Sequence, residues 1–182
     1  MEIDIGPEAI DRGFATGYGG YTVIMAENPA NATGIIDTVE IWCNTDLTGV
    51  RVGTFYTTNG NTLKCRDSAV IGNVTSGSMQ TITEDSGSNP LAIAVEVDDY
   101  IGMFYDTGNV ERDASGSGFW RVEAENIDPN DEAVYDWVAD QTISLKGIGA
   151  EPGWTGKVSG VTNPAKIMGV PVANIAKVKG VA

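Results

Sequence analysis

The sequence predicts an all-β fold, an antiparallel β-sandwich, on three observations. Residues 35–56 alternate in polarity with period two: Val39, Ile41 and Cys43 fall on one face, Thr38, Glu40 and Trp42 on the other. Gly, Pro, Asn, Asp and Ser clusters punctuate the chain at roughly 8–12-residue intervals, the rhythm of short strands joined by turns. β-branched and aromatic residues recur at every second position in these windows, so the helical template does not fit. Jelly roll is the first topology to expect, and an immunoglobulin-like sandwich the second.

The central stretch reads as two strands, 35–43 and 50–56, separated by Asn44–Gly49, which would make a hairpin or a crossing between sheets. Before it, residues 2–12 supply a short strand and a turn at Gly6-Pro7. Residues 13–20, with four glycines, form a loop, and Tyr21–Ala26 a strand. After it, Asn59-Gly60 is a strong hairpin signal. Residues 63–73, 78–83, 93–97 and 100–105 are further strands, with Asp98-Asp99 as a turn. Residues 106–118 read as loop, 118–122 and 141–146 as the last strands of the body, and Glu132–Asp136 as one helical turn.

A chain of 182 residues buries roughly 70% of its unfolded surface, enough to hold together without a metal or disulfide framework. Cys43 and Cys65 would either pair across adjacent strands or stay as buried free thiols. There is no histidine, which removes the commonest general base and transition-metal ligand. No nucleophile motif or phosphate loop is present, and no carboxylate pair is fixed at a glycosidase separation, so a non-enzymatic protein is expected.

Residues 1–150 carry 7 Lys/Arg against 24 Asp/Glu, a net −17, while residues 151–182 carry 4 against 1, a net +3. The acidic body disfavours nucleic acid and anionic membranes. The first residues lack the basic flank and apolar run of a secretory signal, and no window approaches a membrane span, so synthesis in the host cytoplasm is expected.

The segment 151–182 repeats one pattern three times: Lys157-Val-Ser-Gly-Val161, Lys166-Ile-Met-Gly-Val170 and Lys177-Val-Lys-Gly-Val181. Each copy is too short to bury an apolar face alone, so Val158, Val161, Ile167, Val170, Val178 and Val181 need a partner surface. That surface is either the chain's own sandwich or, the sharper expectation, another subunit that this C-terminal arm docks on.

Two kinds of ligand site are weighed on the body. Aromatics near predicted loops, Tyr105, Trp120 and Trp137 foremost, could stack on sugar rings, with core filling as the plainer role. Acids gather at Asp98-Asp99, at 111–113 and at 128–140, but no twelve-residue calcium loop is present. Any calcium site would be assembled from separate loops. A solvated acidic surface and no metal or cofactor is the expectation.

The order Asn28-Pro-Ala-Asn-Ala-Thr-Gly34, Val39-Glu-Ile-Trp42, Val52-Gly-Thr-Phe-Tyr56, Asp99-Tyr-Ile-Gly102, Glu111-Arg-Asp113 with Gly118-Phe-Trp120, and Ile143-Ser-Leu-Lys-Gly147 resembles an uncharacterised jelly-roll-like module of bacteriophage and metagenomic structural proteins, over about residues 20–149. The lysine-bearing repeats resemble terminal segments of phage structural proteins. The resemblance implies a virion component, a decoration, tail or fibre protein that contacts itself and other virion proteins, and it transfers no catalytic residue. A carbohydrate-binding module for a cell-surface glycan is the alternative, and a subunit of a non-viral extracellular filament the third.

Overall fold

The computed structural model describes residues 2–152 and the backbone of four two-residue strands beyond them. The chain divides into two units, Met1–Ala150 and Glu151–Ala182. The larger unit is all-β: no helix occurs among the described residues, and every strand pairing is antiparallel.

Its spine is β4, Gly34–Asn59, a single strand of 26 residues where the sequence suggests two strands and a turn. Asn44–Gly49 makes the crossing and not the hairpin. Its backbone is taken up by β9 (Thr107–Asp113), with Cys43, Thr45 and Thr48 opposite Val110, Asn109 and Thr107. Register shifts at 43/45 and 45/48, and Gly49 at φ +63°, turn the strand from one sheet into the other.

The first half of β4 pairs with β14 (Leu145–Ala150) on one side and with β6 (Met79–Ile82) and β7 (Ile93–Val95) on the other. β1 (Glu2–Ile5) closes the β14 edge. The second half lies between β5 (Thr62–Val74) and β8 (Tyr100–Phe104). From β8 the sheet continues through β3 (Thr22–Met25) and β10 (Phe119–Val122) to β12 (Asp136–Val138), and β11 (Glu132–Val134) borders β5. The β4–β5 hairpin closes with Asn59 opposite Thr62 and Gly60 at φ +58°, as its Asn-Gly signal predicts.

Three local expectations are corrected. Residues 106–118 contain β9, a strand hidden by its polar composition because it buries Val110 and Glu111 beside one another. Residues 13–20 contain β2 (Phe14–Thr16), which pairs with β9, as does β13 (Thr142–Ile143). Glu132–Asp136 is not helical: it spans β11 and the start of β12, with the Tyr135 amide donating to Asn61 O at 2.9 Å and the Tyr135 ring buried. Cross-strand pairing outweighs the weak local helical preference of those acids.

The main core packs Ile3, Ile5, Ile36, Val39, Ile41 and Leu145 of one sheet against Val23, Met25, Val50, Val52, Met103 and Phe119 of the other, the arrangement of a β-sandwich. Each such side chain contributes about 1.5–3 kcal/mol on burial. A second cluster, Ile24, Phe55, Leu63, Cys65, Phe104, Ile127 and Tyr135, covers the outer face of the second sheet. Cys43 belongs to the first cluster and Cys65 to the second, so the two thiols are buried, free and on different sides of a sheet.

In the smaller unit, β15 (Lys157–Val158) pairs with β16 (Val161–Thr162), and β17 (Lys166–Ile167) with β18 (Val170–Pro171). The first two repeats therefore share one register, with Val158 opposite Val161 and Ile167 opposite Val170. Val178 and Val181 lie outside the described residues, as does Trp154.

Candidate functional site

One row of residues crosses the outer face of the second sheet. Read through the pairings it runs Trp137 (β12), Trp120 (β10), Ile24 (β3), Gly102 (β8) and Gly53 (β4). Directly paired antiparallel residues point to the same face, so the row is bulky at one end and bare at the other. The bare end is filled from above: a Cβ on Gly102 would sit 2.7 Å from Phe55 Cε2, and one on Gly53 would sit 3.2 Å from Ile127 Cγ1.

Ile127 comes from the segment 123–131, which straps this end through Asn126 N to Thr22 Oγ1 at 2.9 Å, Cys65 N to Asp131 O at 2.8 Å and Asn130 N to Cys65 O at 3.0 Å. The strap leaves the tryptophan end open. Trp137 is 44% exposed, and Trp120 is half-buried beside it. Their ring centroids are 5.0 Å apart at an interplanar angle of 63°, so the two indoles make a corner. Tyr100 continues the contact, edge to face with Trp120 at 5.0 Å.

The corner is held in place. A Cβ on Gly118 would lie 2.6 Å from Trp137 Cζ2, and Gly118 itself has φ +91°, so the indole rests on bare backbone that only glycine provides. The Trp120 indole N–H donates to Asn61 Oδ1 at 3.0 Å, tying it to the tip of the β4–β5 hairpin. The Asn61 amide NH2 and the Trp137 indole N–H have no hydrogen-bond partner among the described residues.

Of the three aromatics singled out in the sequence, the fold therefore brings Trp120 and Trp137 together and takes Tyr105 away. Tyr105 is fully buried: its hydroxyl accepts from Tyr18 N at 2.8 Å and donates to Thr16 O at 3.3 Å, and burial pushes its pKa up to about 12. It anchors the 16–18 segment and presents nothing to a ligand, a correction to the sequence expectation. Position beside a loop did not reveal this, because Tyr105, the residue directly after β8, still faces the core before the chain turns.

The acid groups are largely structural. Asp99, 2% exposed, accepts from Arg66 Nε at 2.5 Å and Nη2 at 3.0 Å, and from Glu96 N at 2.8 Å. Arg12 Nη1 donates to Asp113 at 2.7 Å and holds that carboxyl below its usual range, while Glu111 accepts from Arg12 N at 3.3 Å. Arg51 pairs with Glu125 and Asp128. Among the described residues no group of three or more His, Cys, Asp or Glu side chains is placed to hold a metal ion.

Sequence reasoning missed Tyr100, Asn61 and Gly118. Gly118 carried a legible signal, a glycine directly before Phe-Trp, but only the β10–β12 pairing shows what it makes room for. A second aromatic group lies on the opposite face of β10, where Arg121 sits over the rings of Tyr18 at 5.2 Å and Tyr21 at 5.8 Å. A hydrogen bond to Glu123 raises the Tyr21 pKa. No protein-family model, no curated protein and no solved structure matches this chain.

Proposed function

We propose that the chain is a non-catalytic building block of a virus particle, a phage decoration, tail or fibre component that assembles through its C-terminal repeats. The observation that carries this reading is the repeated register: two successive Lys-[Val/Ile]-x-Gly-Val segments each form their own two-stranded sheet, with an apolar pair opposite one another and a lysine one step outward. An isolated two-residue hairpin is not stable in water. Repeats of this kind gain stability by burying their valines against further copies of the same unit, and repetition multiplies that contact. The division of charge, −17 before residue 151 and +3 from it onward, suits an arm whose cationic segments meet acidic surfaces of neighbouring copies.

Removal of residues 155–182 tests the reading. Light scattering should give an oligomer for the full chain and a monomer for the truncated one; equal mass per particle in both rejects assembly through the arm. Capsid or tail genes beside the coding sequence would support the virion assignment, and a neighbourhood without them would count against it.

A further inference from the structure

We infer that the corner formed by Trp120 and Trp137, with Tyr100 and Asn61 at its margins, is a binding site for an uncharged saccharide. Three observations point there together. The first is chemical. A pyranose ring offers C–H groups on its faces and hydroxyls on its rim, and so needs an aromatic platform beside hydrogen-bonding groups. Trp137 supplies exposed ring surface, and its indole N–H and the amide NH2 of Asn61, which holds the adjoining Trp120 indole, have no hydrogen-bond partner among the described residues.

The second is rigidity. An exposed tryptophan on an edge strand would ordinarily sample several rotamers, and ordering it would subtract from affinity. Here the benzo edge of Trp137 is seated on Gly118 and its ring is braced by Trp120, which is itself fixed by Asn61 and Tyr100. The platform exists before any ligand arrives. Most of the same face is closed by the 123–131 strap, and the tryptophan end is left outside it.

The third is charge, which selects among saccharides. The body carries a net −17, and Asp136 neighbours Trp137 in β12. Sialylated, sulfated and uronic-acid glycans would approach against that field, whereas neutral hexose and N-acetylhexosamine units would not.

The test uses the full chain on an array holding neutral oligosaccharides, including N-acetylglucosamine and galactose oligomers, together with sialylated and uronic-acid glycans, followed by titration of the best neutral binder monitored by tryptophan emission. Binding to neutral members, weakened at least about tenfold by Trp137→Ala with an unchanged circular dichroism spectrum, is the expected result. Gly118→Ala, which touches no ligand, should also weaken binding by tilting the Trp137 indole. Binding that survives Trp137→Ala, binding confined to acidic glycans, or no binding to any array member overturns the inference. Each of these outcomes is read on the full chain and at residues of the larger unit, so it is scored separately from the assembly test.

Discussion

Gly53 and Gly102 stand opposite one another at the centre of the second sheet, and their paired lack of side chains makes the hollow that Phe55 and Ile127 fill. The hollow admits no extra carbon at Gly102: a Cβ there would meet the Val23 carbonyl oxygen at 2.8 Å and Ile24 Cγ1 at 2.9 Å as well as the Phe55 ring. Gly102→Ala should therefore cost about 1–3 kcal/mol, the usual penalty of overpacking, read as a lowered urea midpoint with unchanged slope. A midpoint equal to that of the native chain would show that the face is looser than its packing indicates.

Tyr105→Phe isolates one hydroxyl. The ring still fills the core, but the part-buried Tyr18 amide loses the acceptor 2.8 Å away, at a cost of about 1 kcal/mol. Saccharide binding at Trp137 should be untouched, because Tyr105 is enclosed on the other side of the sheet's framework. Lost stability with retained binding would separate this residue from the aromatic corner. An effect on binding equal to that of Trp137→Ala would join them.

The thiols give a chemical readout of the two clusters. Burial raises the pKa of both Cys43 and Cys65, the latter up to about 12. In the folded chain neither should react with a thiol reagent at pH 8, and two equivalents should appear on unfolding. A raised folded-state pKa favours folding below the unfolded thiol value, about 8.5, and that contribution is lost as pH rises toward 12. Alkaline destabilisation beginning near pH 9 should thus be smaller in Cys65→Ala, once its own cavity cost is subtracted as the difference at pH 7.

The parts of this fold that were legible in the sequence are those whose side chains alternate cleanly. Val39, Ile41 and Cys43 fall on one face as their spacing demands, and Asn59-Gly60 closes a hairpin. What escaped were strands held by partners far along the chain. β9 buries Glu111 against Arg12, so its polarity disguised it, and the crossing at residues 44–49 is held by β9 opposite Thr45 and Thr48 and by β5 opposite Leu47, partners that no local pattern reveals. The aromatic corner was half legible for the same reason: Trp120 and Trp137 carry the chemistry in their identity, but sixteen residues of intervening chain hide the pairing that joins them.

Acid should reveal which carboxylates the fold holds charged. Asp85 Oδ1 accepts from Gly87 N at 2.8 Å and Asn89 N at 2.9 Å, Asp46 Oδ1 accepts from Ser76 N at 2.8 Å, and Asp113 accepts from Arg12. Backbone hydrogen bonds from Asn89 and Ser76 lower the first two pKa values, and the Arg12 hydrogen bond lowers the third. A depressed folded-state pKa contributes stability that is present above the unfolded carboxylate value, about 3.9, and is lost as pH falls through the folded value. With no histidine, few ordinary side chains titrate between about pH 6 and 8, so the urea midpoint should be nearly flat there and drop below about pH 4. Relief of charge repulsion in the acidic body acts the other way, so the informative quantity is the midpoint difference between pH 7 and pH 3 in each variant. Asp85→Asn and Asp46→Asn should each shrink that difference while keeping a side-chain oxygen for the same donors. An undiminished gap in both would place the acid sensitivity in other carboxylates, with the Arg12–Asp113 pair first among those to test by Asp113→Asn.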